Sequence, residues 1–166
     1  MKALKNYYLI LSMPVIIFLF TDCGSSREAG IEDMAELKTI VEGRDFEIQN
    51  EWAEPIVGSS INLIGNPNYI RFEGDSVEMA LPYFGERHSG GAYSREGGIH
   101  FDGPARNFSI TERSNNLIIE FEGQQNSESY NFLLTVFPNG KVTTSVNSSQ
   151  RSSITYRGEI QSQKLE

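Results

Sequence analysis

Between positions 83 and 98 the chain gathers Tyr83, Phe84, Arg87, His88, Tyr93 and Arg95, spaced by glycines. Tyr and Arg are the side chains most enriched where binding energy concentrates, because each joins a broad flat surface to a polar end. Loops of this length in compact domains are commonly functional. Tyr83, Arg87, Tyr93 and Arg95 are therefore the candidate contacts for a ligand, either a sugar or an anion. The plainer reading is a glycine-rich loop whose aromatics pack on the end of a sheet. If the sheet closes on itself, the loop sits over one mouth, where small-ligand sites commonly lie.

Other chemistries find little material. The chain has two histidines, His88 and His100. His100 and Asp102 fall on the same side of a strand and could pair, but a metal centre takes three or four ligands. Beyond Cys23 there is no further His or Cys to add. No twelve-residue calcium loop is present. The sequence has neither a G-x-S-x-G nucleophile elbow nor a phosphate-cradling or dinucleotide glycine motif. No metal or cofactor is expected, and the chain reads as non-catalytic. Glu47, Glu51, Glu120 and Glu122 alternate with apolar residues, as on the solvated faces of strands. A carboxylate pair for glycan hydrolysis stays open, because that chemistry depends on a separation a sequence does not give. Asp75-Ser76-Val77 resembles the short Asp-Ser/Thr-aliphatic site at which some bacteria O-glycosylate exported proteins, which makes Ser76 a candidate modification site.

Cys23 is the one cysteine, so no internal disulfide can form. It follows Lys2, Lys5 and an apolar run from Tyr7 to Phe20. That run of about 14 residues is within the range of an export signal and short of the about 20 that span a bilayer. Pro14 weakens it further as a membrane helix. Cys23 is placed as in a lipobox, where the thiol is acylated and the chain is cut just before it. Phe20 and Asp22 depart from the usual Leu and small residue. The expected organisation is a signal peptide over 1–22, a lipidated Cys23 with a polar tether over 23–30, and one β-rich domain over 31–166. Each buried acyl methylene contributes about 0.8 kcal/mol, so a multiply acylated cysteine holds firmly. The expected location is the outer membrane of the cell envelope, with the periplasmic and surface faces both open. The formal charge is −8, and loss of residues 1–22 leaves the remainder one unit more acidic. Such a chain repels phosphate backbones, so nucleic acid is not an expected partner.

The elements that must position these residues follow from periodicity. Met34, Leu37 and Val41 recur at helical spacing within Ile31–Glu42, and Gly43 is a stop signal. From Arg44 the period becomes two: Phe46, Ile48 and Trp52 on one side, Glu47, Gln49 and Glu51 on the other. Further strands are expected over Ser60–Ile64, Tyr69–Glu73, Val77–Leu81, Ile99–Phe101, Asn107–Glu112, Leu117–Glu122, Tyr130–Phe137, Lys141–Val146 and Ser152–Ile160. Gly74-Asp75 suits a two-residue type II′ hairpin, and Asn139-Gly140 is a strong hairpin signal. Strands joined by tight turns, with no alternating helices, predict a mainly β, antiparallel up-and-down meander. It can hide its edges as a barrel-like sheet or as a two-sheet sandwich, with one short N-terminal helix as a plug.

Several short motifs share this framework: Trp52-Ala53, Gly65-Asn66-Pro67-Asn68-Tyr69, Gly74-Asp75-Ser76, Leu81-Pro82-Tyr83-Phe84-Gly85, Gly97-Gly98-Ile99, Phe137-Pro138-Asn139-Gly140 and Arg151-Ser152-Ser153-Ile154-Thr155-Tyr156. Together they make the region from Phe46 to Ile160 resemble a lipoprotein family of Bacteroides-like bacteria, the domain-of-unknown-function family 4251. The resemblance implies export and lipidation and brings no catalytic residues. The expected role is a lipid-anchored envelope protein that binds a small ligand or glycan. The alternatives are an assembly factor that joins an envelope complex by sheet-edge pairing, and a glycan hydrolase.

Overall fold

The computed structural model describes residues 34–88 and 98–162. Its helix, α1 (Met34–Gly43), buries Leu37 and Val41, two of the three residues whose spacing predicts it. The chain leaves the helix through Arg44, whose φ is +51°, and the Arg44 N–H returns to the Val41 carbonyl at 3.2 Å. The helix ends where the glycine signal puts it, but the left-handed residue is the arginine after it. The Arg44 guanidinium sits 4.0 Å above the Phe108 ring and pairs with Asp75, which fixes that conformation.

Ten strands follow: β1 (Asp45–Pro55), β2 (Ile61–Asn62), β3 (Tyr69–Glu73), β4 (Ser76–Pro82), β5 (Gly98–Pro104), β6 (Arg106–Arg113), β7 (Asn116–Gln125), β8 (Glu128–Val136), β9 (Lys141–Ser148) and β10 (Ile154–Ser162). They form one antiparallel sheet in the order β5-β4-β3-β1-β10-β9-β8-β7-β6, with β2 paired to β1. Neighbours in sequence are neighbours in space, and β10 returns to β1. This is the meander, in its barrel-like form and not as a sandwich. Ser60–Ile64 contributes only the two residues of β2.

The barrel comes near to closing at one bent strand. Antiparallel pairing along the path from β5 to β6 means that these two end strands run in the same direction, separated by Ala105 alone. β5 pairs with β4, while β6 pairs with β7. The bend is built from Ala105, whose N–H is tied to the Asp75 carbonyl at 2.9 Å, and Asn107, whose φ is +52°. A register shift between Arg106 and Ser109 marks the same place, as a bulge does at a barrel corner. Beyond the bend, Gln124 and Gln125 of β7 pair with β8 and no longer with β6. There β5 lies against β7 by packing, with the Phe101 ring over Gly123, where an added Cβ would meet it at 2.9 Å. At the opposite end α1 and the residue after it face β6, through Lys38 on Glu112 and Arg44 on Phe108.

A second bulge corrects the expected strand faces. Asn50 faces Gly158 and Trp52 faces Arg157, so Glu51 is the extra residue. The alternation therefore slips: Phe46, Ile48, Asn50 and Ala53 are buried, and Trp52 is not on the core face. The Glu51 carbonyl accepts the Leu63 N–H at 2.8 Å, and Asn68 Oδ1 accepts the Asn50 N–H at 3.0 Å.

Side chains fill the lumen. Phe46 stacks on Phe72 at 4.5 Å, Phe72 meets Phe121 edge-on at 5.3 Å, and Phe121 stacks on Phe132 at 4.5 Å. These rings join β1, β3, β7 and β8 at separations typical of favourable aromatic pairs. The barrel interior is a packed core.

Candidate functional site

At the end of the barrel away from α1 meet the end of β4, the start of β5, the β7–β8 turn and the β9–β10 connection. These are stitched together by side chains where the ladder is interrupted. Tyr83 Oη lies 2.9 Å from the Glu86 carbonyl and 2.9 Å from both the carbonyl and Oγ of Ser152. Glu86 N–H donates to Ser152 Oγ at 3.0 Å, and Tyr156 donates to the Pro82 carbonyl at 2.8 Å. Gly85 is required by this knot: a Cβ there would lie 2.3 Å from Tyr83 Oη.

Beside the knot is a charged cluster. Arg151 Nε and Nη2 donate to the two carboxylate oxygens of Glu128 at 2.7 and 3.1 Å, and Nη1 donates to the Gly98 carbonyl at 2.8 Å. Arg151 therefore bridges β8 and β5 just where β5 and β7 share no ladder. Both side chains of this pair are only 8% exposed. Arg87 adds a second guanidinium, donating to Glu128 Oε2 at 3.2 Å with a third of its side chain open to solvent. Arg87 and Arg151 also meet through their backbones in an isolated bridge.

Burial pushes the Glu128 carboxyl upward. Hydrogen bonds from Arg151, Ser148 and Tyr130, with the Arg151 charge, outweigh it and hold the group below its ordinary value. Burial likewise pushes the Tyr130 hydroxyl up to about 12, with its bond to Glu128 adding to the rise. Tyr130 thus stays protonated at neutral pH and donates to a carboxylate that stays charged.

Arg87, His100, Asn126, Glu128, Tyr130 and Arg151 line a depression of about 240 Å³ on the β7 side of the start of β5. On its β4 side is a second depression of about 400 Å³, lined mainly by Pro67, Ala80, Pro82, Tyr83, Phe84 and His100. His100 and Gly98 belong to both, and the Arg151 guanidinium lies 5.2 Å from the Tyr83 ring centroid. The first is polar with a fixed charge, and the second is an apolar shelf. A third groove, of about 410 Å³, runs on the outer face of β6–β9 past Glu120, Glu122 and Asn131. Its carboxylates are exposed, and Glu122 accepts from Asn107 Nδ2 at 2.9 Å.

Of the residues singled out in the sequence, Tyr83 and Arg87 come to this rim. The Tyr83 hydroxyl is engaged within the fold, while its ring faces the apolar shelf. Tyr93, Arg95 and Cys23 lie outside the described residues. Ser76 is exposed at the start of β4, at the end of the barrel near α1, and Asp75 beside it is ion-paired with Arg44. His100 and Asp102 both lie on the outer face of β5. Among the described residues no group of three His, Cys, Asp or Glu is placed to hold a metal. The sequence reading missed Arg151, Glu128 and Tyr130. Arg151 stands in a motif of the family resemblance, but only the register around the barrel brings it to Glu128.

The profile of the DUF4251 family, described as a domain of unknown function, matches residues 28–160. Among solved structures, the chain is similar to a DUF4251 family protein from Bacteroides eggerthii DSM 20697, at a TM-score of 0.64 and 14% identity. The likeness covers 81% of this chain and 91% of that one, and at this identity it speaks to the fold alone. No curated protein matches the sequence. With a barrel of the same fold and a family profile across nearly all the described residues, the chain belongs to the DUF4251 family.

Proposed function

We propose that this protein is exported, held at the envelope by acylated Cys23, and serves as a non-catalytic module that binds a small polar ligand at the barrel rim. One observation carries the site: Arg87 and Arg151 converge on the single carboxylate of Glu128 beside an open depression, where β5 and β7 are not laddered. Buried charges are costly unless paired, and this pair is fully engaged. Its upkeep at a surface opening, instead of an apolar plug, supports a recognition role. The packed lumen favours a ligand site at the rim over one inside the barrel. Tyr93 and Arg95 belong to the same connection between β4 and β5, and they remain proposed contacts on sequence grounds alone. Arg87 is the contact that the geometry supports directly.

The sheet-edge alternative draws less support. The Arg44 and Lys38 side chains of the α1 segment engage β6. Cα atoms of β5 and β7 come within 8 Å of each other. Strands pair about 4.8 Å apart, so an inserted strand needs roughly twice that.

The test is a thermal-shift screen of the full chain in detergent against a panel of glycans and small polar molecules. A compound that raises Tm is expected to lose that effect in Arg87→Ala, with the ligand-free Tm changed by no more than a few degrees. A hit that persists unchanged in Arg87→Ala, or a panel without hits, contradicts the reading.

A further inference from the structure

The two depressions flanking the start of β5 differ in character, and their adjacency specifies a ligand. The polar one holds two guanidiniums against one carboxylate, a net positive charge on a chain whose formal charge is −8. A local excess of positive charge in a depression focuses anions of the right size. Arg151 has three N–H groups committed, to Glu128 and to the Gly98 carbonyl. Arg87 makes one side-chain hydrogen bond among the described residues and keeps a third of its side chain exposed. It therefore has donors left in the fork geometry that matches a carboxylate. The neighbouring shelf offers Pro67, Pro82, the Tyr83 ring and Phe84, which is 41% exposed. The Tyr83 hydroxyl is already tied down, so that ring presents an apolar surface to whatever lies there.

We propose that the rim takes a small organic acid with an apolar body, its carboxylate on Arg87 and its body along Tyr83 and Phe84. This rests on the rim-binding reading above and narrows it to one ligand class. Arg151 is a positioning residue: it holds Glu128 and the start of β5, so that the Arg87 edge faces the opening. The bound carboxylate balances the charge Glu128 leaves over, and burial of the body supplies the rest of the affinity.

The experiment is isothermal titration of the full chain in detergent with three probes: 3-phenylpropionate, its neutral counterpart 3-phenylpropan-1-ol, and glucuronate. The expected result is 3-phenylpropionate binding at least about tenfold tighter than either of the others. That is the difference a charge-assisted, bidentate contact typically makes. Arg87→Gln should remove the acid's advantage and leave the alcohol's weak binding unchanged. Phe84→Ser, at an exposed position that does not threaten folding, should weaken both phenyl probes alike. Equal affinity for acid and alcohol overturns the proposal, since the charge is then unused. Tighter binding of glucuronate, lost in Arg87→Gln, overturns the apolar part while leaving the rim as a polar-ligand site. No binding of any probe, alongside a productive thermal-shift hit that Arg87→Ala abolishes, overturns the ligand class but not the site. No binding and no such hit overturns both.

Discussion

Glu128 shows how a single residue ties stability to the site. Its carboxyl titrates below its ordinary value of 4.5, although burial opposes this, because Arg151, Ser148 and Tyr130 all donate to its charged form. A depressed carboxylate contributes stability that is present above the unfolded value and lost as pH falls through the folded one. The wild-type protein should therefore lose stability on acidification from about pH 4.5 downward, and Glu128→Gln should flatten that limb while lowering stability at pH 7. Urea unfolding followed from pH 7 to pH 3 checks this; an unchanged acid limb in Glu128→Gln would show that the cluster contributes nothing. At this scale the sequence was half legible. Tyr83 and Arg87 stood out by type, in a loop rich in glycine. Glu128 and Arg151 did not: each reads as an ordinary charged residue near a turn, and they meet only because β8, β9 and β10 pair in one particular register. The Tyr83 hydroxyl was misleading in the opposite sense, since a residue type suited to binding turned out to hold the rim together.

At the scale of elements, most strands follow from alternation and their turns from turn chemistry. Gly74 has φ of +61° and Asp75 is not left-handed, as a type II′ turn requires. The second hairpin signal resolves differently. Gly140 alone is left-handed, its N–H returns to the Phe137 carbonyl and Phe137 N–H to the Lys141 carbonyl, both at 2.9 Å. The turn is centred on Pro138-Asn139 with Gly140 after it, a three-residue loop with a bulge. The bulge at Glu51 and the bend at Asn107 were not legible, because each is an answer to barrel curvature and not to local sequence. Gly158 is the exception that hints at one. A Cβ there would lie 2.1 Å from the Gln49 carbonyl and 2.6 Å from Asn50 Cα, both backbone and unable to yield. Gly158→Ala is expected to cost about 2–3 kcal/mol, in the range of overpacking that forces backbone shifts. Urea unfolding of the variant measures it; a loss below about 0.5 kcal/mol would mean β1 and β10 are less tightly apposed than described.

For the whole molecule, composition and pattern point the same way as the architecture: a small acidic barrel whose interior is spent on packing and whose paired arginines open at the rim. The rim with Arg87, Glu128 and Arg151 lies at the end of the barrel opposite the one where Arg44 caps α1 and pairs with Asp75. Near-closure at one bent strand explains why a meander with an odd path around its sheet still has a continuous core, and why the opening occurs where β5 and β7 part. Presentation of the barrel from a membrane by acylated Cys23 is the central claim of the proposed function. The direct test is the intact mass of the native protein extracted from membranes in detergent. The account predicts a mass for cleavage before Cys23 plus acyl chains, with any further increment in hexose-sized steps pointing to Ser76. A full-length mass without lipid would contradict it.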